Sequence, residues 1–436
     1  MKKLSLSLPL LFLFSGLLHA AEESDVETLP EGLTIQSVEV LPKSIELTSS
    51  QDYRQVLILG HLESGQIADL TRMATVEGNP QFVEVTNDGV ISPVTIGSEK
   101  IRFRYADNTV ELDVAVSSMA TPQSDFVQDV QPLLSKMSCN AGTCHGAKDG
   151  KGAFKLSLRG YDELYDHRAL TDDIGARRFN RAAPDQSLML LKATGSIPHV
   201  GGVRTEFDSR YYKAIRSWIT GGAKLDQDVS RVTSIEVFPK NPIIPRAGMK
   251  QQMTVIATFD DGSTRDVSRE AFIESGNIEV IEADPNGLLT VLRRGEGPVL
   301  IRYEGNYAAT TLTVMGDRTG FAWQEPEHYN YIDKHVYNKL QRVKVLPSDI
   351  CTDEEFVRRV YIDVTGLPPT ADQVRSFLGD MRPSKDKRDA LIDALVGSQQ
   401  YVEHWTNKWA DLLQVNRKFL GEQGAISLRN WIKQAI

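Results

Sequence analysis

Apolar residues follow two different rhythms along this chain, and the change from one to the other divides it. Between residues 33 and 118, and again between 231 and 316, short runs rich in Val, Ile and Thr are broken every 8 to 12 residues by Asp/Asn-Gly turns. Val255-Ile256-Ala257-Thr258-Phe259 runs into Asp260-Asp261-Gly262-Ser263, and Leu288-Leu289-Thr290-Val291 follows the turn Asp284-Pro285-Asn286-Gly287. Such spacing predicts two small β-sandwiches, with no helix-period stretch interrupting either.

Elsewhere the period is helical. Phe126, Val130, Leu133 and Leu134 form one stripe, and Tyr211, Ile215, Trp218 and Ile219 form another that stops at Gly221-Gly222. Two helices therefore bracket the segment 121–226, which lies between the sandwiches in sequence. From 327 to 436 the pattern is helical again. Tyr331, His335, Val336 and Leu340 share a face, Thr352–Glu355 and Thr370–Gln373 are capping-box starts, and Leu367-Pro368-Pro369 separates those two helices. The last residues keep a helical period with no cap after them, so the chain is expected to be a piece of a longer protein. The fold class predicted is multidomain: two all-β sandwiches flanking an all-α domain, followed by a mainly α-helical domain truncated at its C-terminus.

The two β regions are copies of each other. Ser37-Val38-Glu39-Val40-Leu41-Pro42-Lys43 returns as Ser234-Ile235-Glu236-Val237-Phe238-Pro239-Lys240. Gly65 with Asp69-Leu70-Thr71 answers to Gly262 with Asp266-Val267-Ser268, Asn87-Asp88-Gly89 to Pro285-Asn286-Gly287, and Arg104-Tyr105 to Arg302-Tyr303. An internal repeat of this kind places Asp69 and Asp266 in equivalent hairpins.

The N-terminus reads as a secretory signal peptide over residues 1–20, with Met1-Lys2-Lys3, an apolar run from Leu4 to Leu18 and a small residue at Ala20, followed by a linker over 21–32. Cleavage there leaves an exported chain, in the periplasm or at the cell surface, with no transmembrane segment in the mature part. Lys and Arg number 49 against 58 Asp and Glu, a net charge of -9, which gives no electrostatic footprint for nucleic acid. Three cysteines are too few for a disulfide scaffold.

Two of the three, with a histidine, stand together in Cys139-Asn140-Ala141-Gly142-Thr143-Cys144-His145. Covalent haem attachment needs two thiols for the porphyrin vinyl groups and a following His for the iron, ordinarily as C-x2-C-H. Here two further residues must bulge outward, which the small Ala141 and Gly142 allow. A Cys139–Cys144 disulfide is the second reading, and suits an oxidising compartment. Zinc held by Cys139, Cys144, His145 and a further ligand such as His199 is the third, set back by the adjacency of Cys144 and His145. On the haem reading His145 is one axial ligand. The loop before the last helix has Ile197-Pro198-His199 where Met-Pro is usual, so His199 is the second axial candidate and Met189 the alternative.

The stretch CNAGTCHGAKDGKGAFKLSLRGYD, with DHRALTDD, APDQSLMLLKATGSIPHVGG and IRSWITGGA, resembles the planctomycete-type cytochrome c-like domain. FVRRVYIDVTGLPPTADQVRSFL and YVEHWTNKWADLL resemble the N-terminal part of an uncharacterised helical domain that accompanies it in large exported proteins. The sandwiches resemble group 2 bacterial immunoglobulin-like (Ig-like) domains, the second more closely than the first. The resemblance implies haem c as cofactor and electron transfer at the cell envelope with an unidentified redox partner. For the sandwiches it implies spacing, or display towards a cell-surface glycan or protein. Two other functions remain open: a surface adhesion or carbohydrate-binding protein with a disulfide-closed centre, and a redox-linked polysaccharide-processing enzyme whose active site lies beyond Ile436.

Plainer roles fall to the rest. His167 reads as a surface or capping residue and Cys351 as a thiol without a partner. His404, Trp405 and Trp409 read as a packing stripe, and Asp363, Glu403 and Asp411 as carboxylates with nothing in the chain to pair them.

Overall fold

The computed structural model describes residues 27–436; the expected signal peptide lies outside the described residues. The chain divides into two compact units between Ala322 and Trp323.

In the first unit the repeat is visible strand by strand. The N-terminal copy runs β1 Ile35–Leu41, β2 Ser44–Leu47, β3 Arg54–Gln55, β4 Leu57–Leu62, β5 Ile67–Asp69, β6 Thr75–Glu77, β7 Val83–Val85, β8 Val90–Pro93, β9 Gly97–Tyr105 and β10 Asn108–Val116. The second copy runs β11 Val232–Phe238, β12 Ile243–Ile244, β13 Lys250–Gln252, β14 Thr254–Phe259, β15 Thr264–Asp266, β16 Phe272–Ser275, β17 Ile281–Ala283, β18 Leu288–Val291, β19 Gly295–Tyr303 and β20 Asn306–Val314. Sheet orders correspond one to one: β1-β4-β5, β2-β10-β9-β6 and β3-β8-β7 against β11-β14-β15, β12-β20-β19-β16 and β13-β18-β17. Alternation in and out of the core explains the pattern; in β10, Leu112, Val114 and Val116 are buried while Glu111 and Asp113 face outward.

The third small sheet of each copy was not legible in the alternation. A single residue, Val56 or Met253, separates β3 from β4 and β13 from β14, and there the chain changes sheet. Val56 N–H donates to the Gly89 carbonyl at 2.8 Å, and Met253 N–H to that of Gly287 at 2.9 Å. Both glycines sit at φ +82, and a Cβ on Gly89 would lie 2.6 Å from the Val56 carbonyl oxygen. The repeated Asn-Asp-Gly and Pro-Asn-Gly turns thus carry glycine for a backbone reason.

Asp69 and Asp266 do end equivalent strands, β5 and β15, and each does two things. Oδ1 of Asp69 accepts from Thr71 N–H and Oδ1 of Asp266 from Ser268 N–H, both at 2.9 Å, closing the local turn. Oδ2 reaches into the other copy: Asp69 accepts from Gln252 N–H, and Asp266 from Gln55 N–H, each at 2.6 Å. Gln55 and Gln252 are fully buried, and their amides hold corresponding turn carbonyls at Asp88 and Asn286. One apolar cluster runs through both sandwiches. The helical segment, expected between two flanking sandwiches, therefore does not part them in space. It separates them in sequence only, because the polar strand ends have their partners in each other.

That segment contains α1 Gln131–Lys136, extended backwards by a π turn Phe126–Val130, then α2 Glu163–Thr171, α3 Asp173–Ala176, α4 Leu188–Ala193 and α5 Arg210–Thr220. It has its own core of Phe126, Val130, Leu133, Leu134, Ile215, Trp218 and Ile219, the two stripes read from the sequence. Among the described residues its only β feature is an isolated bridge between Lys151 and Phe154. It docks on the second sandwich through half-buried charge. Arg265 donates to Asp129, to the Gln128 carbonyl and to the Tyr303 hydroxyl. Burial opposes the Arg265 cation, but Tyr303 and Asp129 more than restore it. Glu270 accepts from Tyr53 of the first copy at 2.6 Å and from Arg210 of α5 at 3.0 Å, so one carboxylate joins three parts. Lys136 donates to the Ala271 and Pro285 carbonyls, and burial pushes its ammonium down to about 8.

The second unit holds α6 Tyr331–Arg342, α7 Asp353–Thr365, α8 Ala371–Leu378, α9 Ser384–Leu395, α10 Gln399–Leu412 and α11 Arg417–Ala435. Both expected capping boxes form, at Thr352 with Glu355 and at Thr370 with Gln373. Asp353 ties α7 to α9, accepting from Ser384 at 2.6 Å, Lys387 at 2.7 Å and Arg388 at 2.8 Å. Gly366 ends α7 at φ +73 against His404, where a Cβ would fall 2.2 Å from the ring. Trp405 Nε1 donates to the Val364 carbonyl at 3.1 Å, whereas Trp409 is 48% exposed. The expected packing stripe of His404, Trp405 and Trp409 thus holds for His404 and Trp405, and is corrected at Trp409, which stands in solvent. Among the described residues no helix is long and apolar enough to cross a membrane.

The crossed carboxylates make a quantitative expectation. Asp266→Ala strands the Gln55 and Ser268 donors in a buried interface, and should cost the first unit about 2–3 kcal/mol in denaturant unfolding. Asp69→Ala should cost a similar amount, and the double variant should fall short of the sum because both bonds serve one interface.

Candidate functional site

The Cys-His loop begins where α1 stops. Asp125 caps the π turn by accepting from Val127 and Gln128 N–H at 2.7 and 2.9 Å, which sets the first helix against Trp218 of α5, ring centroids 5.1 Å from Phe126. At the far end Ser138 takes φ +61 and the chain reverses, with Cys139 N–H donating to the Leu134 carbonyl. The loop then closes on itself: Cys144 N–H reaches the Ala141 carbonyl at 2.9 Å, His145 N–H that of Cys139 at 3.0 Å and Gly146 N–H that of Ala141 at 3.0 Å. Gly142 and Thr143 stand exposed at the tip. Buried Asn140 fastens the base through Ser135 Oγ at 2.8 Å, and its carbonyl accepts from Arg159 N–H. Gly146 is a further residue the sequence reading passed over: a Cβ there would lie 2.1 Å from the Asn140 oxygen.

Cys139 and Cys144 are both free thiols, and Cys351 is a third. Burial pushes the Cys139 thiol up to about 12, with Arg204 pulling weakly the other way. Among the described residues no three His, Cys, Asp or Glu side chains gather as a metal cage.

The histidines are arranged differently. His145 and His199 come together from loops 54 positions apart in sequence, with ring centroids 6.4 Å apart and planes within 6° of parallel. His145 Nδ1 is 3.1 Å from the Phe154 carbonyl, and His199 Nδ1 is 3.0 Å from that of Gly202. A carbonyl on Nδ1 selects the tautomer whose Nε2 carries the lone pair, the arrangement of a ligating imidazole. Burial lowers the His145 pKa and so favours that neutral ring. Phe154 backs His145 at 4.5 Å and is itself covered by the Arg178 guanidinium at 4.1 Å. The His199 loop is set by Lys192 donating to the Pro198 carbonyl, and by Gly201, where a Cβ would lie 2.8 Å from the imidazole. The 6.4 Å between ring centres is close to the span of two imidazoles on one metal, for which two bonds of about 2.0 Å plus about 1.1 Å from each nitrogen to its ring centre come to roughly 6 Å. Exposed Val200 and Val203 lie on the His199 loop, apolar surface of the kind a porphyrin covers.

Met189 lies on α4, partly buried against the helical core, with its backbone N–H on the Arg178 carbonyl. His167 departs from its expected place at the surface or in a cap. Its ring packs edge-on to Phe126 at 5.2 Å and donates through Nε2 to the Ala223 carbonyl, because the two bracketing helices leave an aromatic slot there. Glu403, expected without a partner, pairs with Lys433 and Arg429 of α11 and serves the fold. Asp363 and Asp411 are exposed and join no cluster. Asp166 was missed altogether: buried, it accepts from Ser157 N–H and from Ser157 Oγ at 2.7 Å, tying α2 to the extended segment that follows the loop.

Comparison with known proteins adds a family at the C-terminus. Residues 331–436 match the family described as PSCyt2, protein of unknown function (DUF1549). No curated protein matches the chain. Among solved structures, the surface-layer protein SbsC, domains 4-9, is similar at 10% identity and a TM-score of 0.26, covering 65% of this chain and 32% of that one. SbsC domains 1-6 give 9% identity and 0.18 over 67% of this chain and 29% of that one. Drosophila OTK, extracellular domains 3-5, gives 8% identity and 0.14 over 65% of this chain and 63% of that one. The chain thus spans about a third or less of the longer SbsC structures, and at these scores the likeness carries no argument about role.

The loop geometry predicts that Gly146→Ala opens the Cys-His turn, seen as faster amide exchange at Cys144, His145 and Gly146. Gly142→Ala, whose Cβ would meet only Leu158 at 3.6 Å, should leave exchange unchanged. A second expectation concerns pH. Burial raises the Asp166 carboxyl to about 6, so the fold prefers the acid form. Its contribution is full below about pH 4 and lost as pH rises through about 6. Asp166→Asn should flatten that part of the melting-temperature profile between pH 4 and 7.

Proposed function

We propose that this chain is part of an exported, multidomain c-type cytochrome-like protein whose helical segment, about 121–226, binds one haem covalently and transfers electrons at the cell envelope. The observation that supports it best is the facing pair His145 and His199, each fixed through Nδ1 and spaced for one metal between them. Cys139 and Cys144 would hold the porphyrin by thioether bonds, and His145 and His199 would be the axial ligands. Bound there, haem c supplies a one-electron iron couple whose potential the axial pair and burial set. The chain's own contribution is position and exclusion. Phe154 and Arg178 shield one side of His145, the Gly201-Gly202 turn orients His199, and two histidines leave no coordination position for a substrate, which favours electron transfer over catalysis at the iron. Export rests on the N-terminal sequence pattern. The paired sandwiches serve in this reading as a rigid mount.

The test is direct. Denatured protein should stain for haem, and Cys144→Ser should lose stable incorporation while both sandwiches stay folded. His199→Ala should turn a low-spin spectrum into a high-spin, carbon-monoxide-binding one, whereas Met189→Leu should cost only about 1 kcal/mol of packing. A spectrum that responds to Met189 and not to His199 would move the second ligand to Met189, and absence of haem stain from protein matured in a haem-attaching host would sink the reading.

A further inference from the structure

The surface around the Cys-His loop carries charge that the molecule does not neutralise. Segment 121–226 holds 15 Lys and Arg against 12 Asp and Glu, a formal +3, in a chain whose total is -9. The excess is concentrated just after the loop, where Lys148, Lys151, Lys155 and Arg159 are all exposed within twelve positions, with Asp149 the sole acid among them. None of the four has an ion-pair partner among the described residues. Several exposed cations of the sandwiches are neutralised: Lys100 has Glu111 and Asp113, Arg102 has Glu111, Arg104 has Glu77 and Arg293 has Glu279. Like charges also crowd: Arg159 adds to burial in depressing Arg302.

Backbone geometry holds these cations outward. The Lys151–Phe154 bridge folds the strand back while Phe154 turns in against His145, leaving Lys151 and Lys155 in solvent on either side of it. Beyond them Arg159 takes φ +60, and Leu158 and Tyr161 are 52% and 88% exposed. Apolar side chains beside a cationic rim are the composition of a protein-docking patch, and unpaired surface charge acts on encounter rate and orientation more than on fold stability.

We infer that the Lys148–Tyr161 surface is a docking site for an acidic electron-transfer protein, seated over the Cys-His loop. The inference rests on the haem reading for the partner's redox character, and on the charge pattern for its acidity. Contact of this kind is small and transient, with association steered by the cationic rim and screened by salt.

The test uses the full chain with its covalent haem, and plant-type ferredoxin as an acidic iron–sulfur probe, with dextran sulfate as a non-protein polyanion. Ferredoxin should bind at low ionic strength and weaken by about tenfold or more as salt rises to physiological strength. The triple variant Lys148→Glu, Lys151→Glu, Lys155→Glu should bind at least about tenfold more weakly at low salt, with an unchanged melting temperature, while Lys43→Glu on the first sandwich binds normally. Unchanged ferredoxin binding by the triple variant, no ferredoxin binding by wild type, or dextran sulfate binding more tightly than ferredoxin with the same loss on charge reversal would each overturn the inference. Haem staining of the same preparation reports separately on the haem reading. Stained protein that ignores ferredoxin defeats the docking surface alone, and unstained protein that binds it through these lysines keeps the surface while defeating the redox role.

Discussion

Two carboxylates reaching across a shared boundary hold the first unit together. Asp69 and Asp266 each spend one oxygen on their own turn and the other on a backbone N–H of the opposite copy, Gln252 or Gln55. All four residues are buried, so neither N–H has water to fall back on, and the loss of either acceptor leaves an unpaired donor in an apolar surround. Such an interface is isologous in the manner of a two-fold dimer, but within one chain. It aligns the sandwiches, and through them Glu270, which binds Tyr53 on one side and Arg210 of the helical segment on the other.

From that junction the candidate site inherits its rigidity. α1 is anchored by Lys136 on carbonyls of the second sandwich and by Asp129 on Arg265, and the Cys-His loop begins two residues after α1 ends, at Ser138. α5 is anchored by Arg210 and by Tyr211 on the Arg269 carbonyl. Both helices that bracket the histidine loops are thus tied to one β body. On the proposed haem reading, an axial pair held this way would pay little reorganisation on a change of iron charge, which suits electron transfer.

Much of this was legible in the residues, and the remainder was hidden for definite reasons. The 3.6-residue stripes at Phe126–Leu134 and Tyr211–Ile219 gave both bracketing helices, and the two capping boxes form as spaced. Alternation and Asx-Gly turns gave the sandwiches and the equivalence of Asp69 with Asp266. What periodicity cannot report is the identity of a partner. It marks Gln55 and Gln252 as ordinary polar strand residues, assigns His167 to the surface although Phe126 and Trp218 enclose it, and treats Trp405 and Trp409 alike although one is hydrogen-bonded and the other exposed. His199 was found from loop chemistry, by the ligand missing at Ile197, and its parallel approach to His145 emerges only when two distant loops are folded together.

The crossed bonds also impose an order of events on the growing chain. Gln55 must wait for Asp266, 211 residues later, and Asp69 for Gln252, 183 residues later. At a synthesis rate of about 5–20 residues per second, the first sandwich spends on the order of ten to forty seconds with half of its interface made and two buried-to-be donors and acceptors facing water. Contacts this distant close slowly, and an open β edge is an invitation to mispairing during the delay. Until the second copy is made the first therefore presents an uncovered face, and a chain interrupted anywhere before residue 266 never covers it.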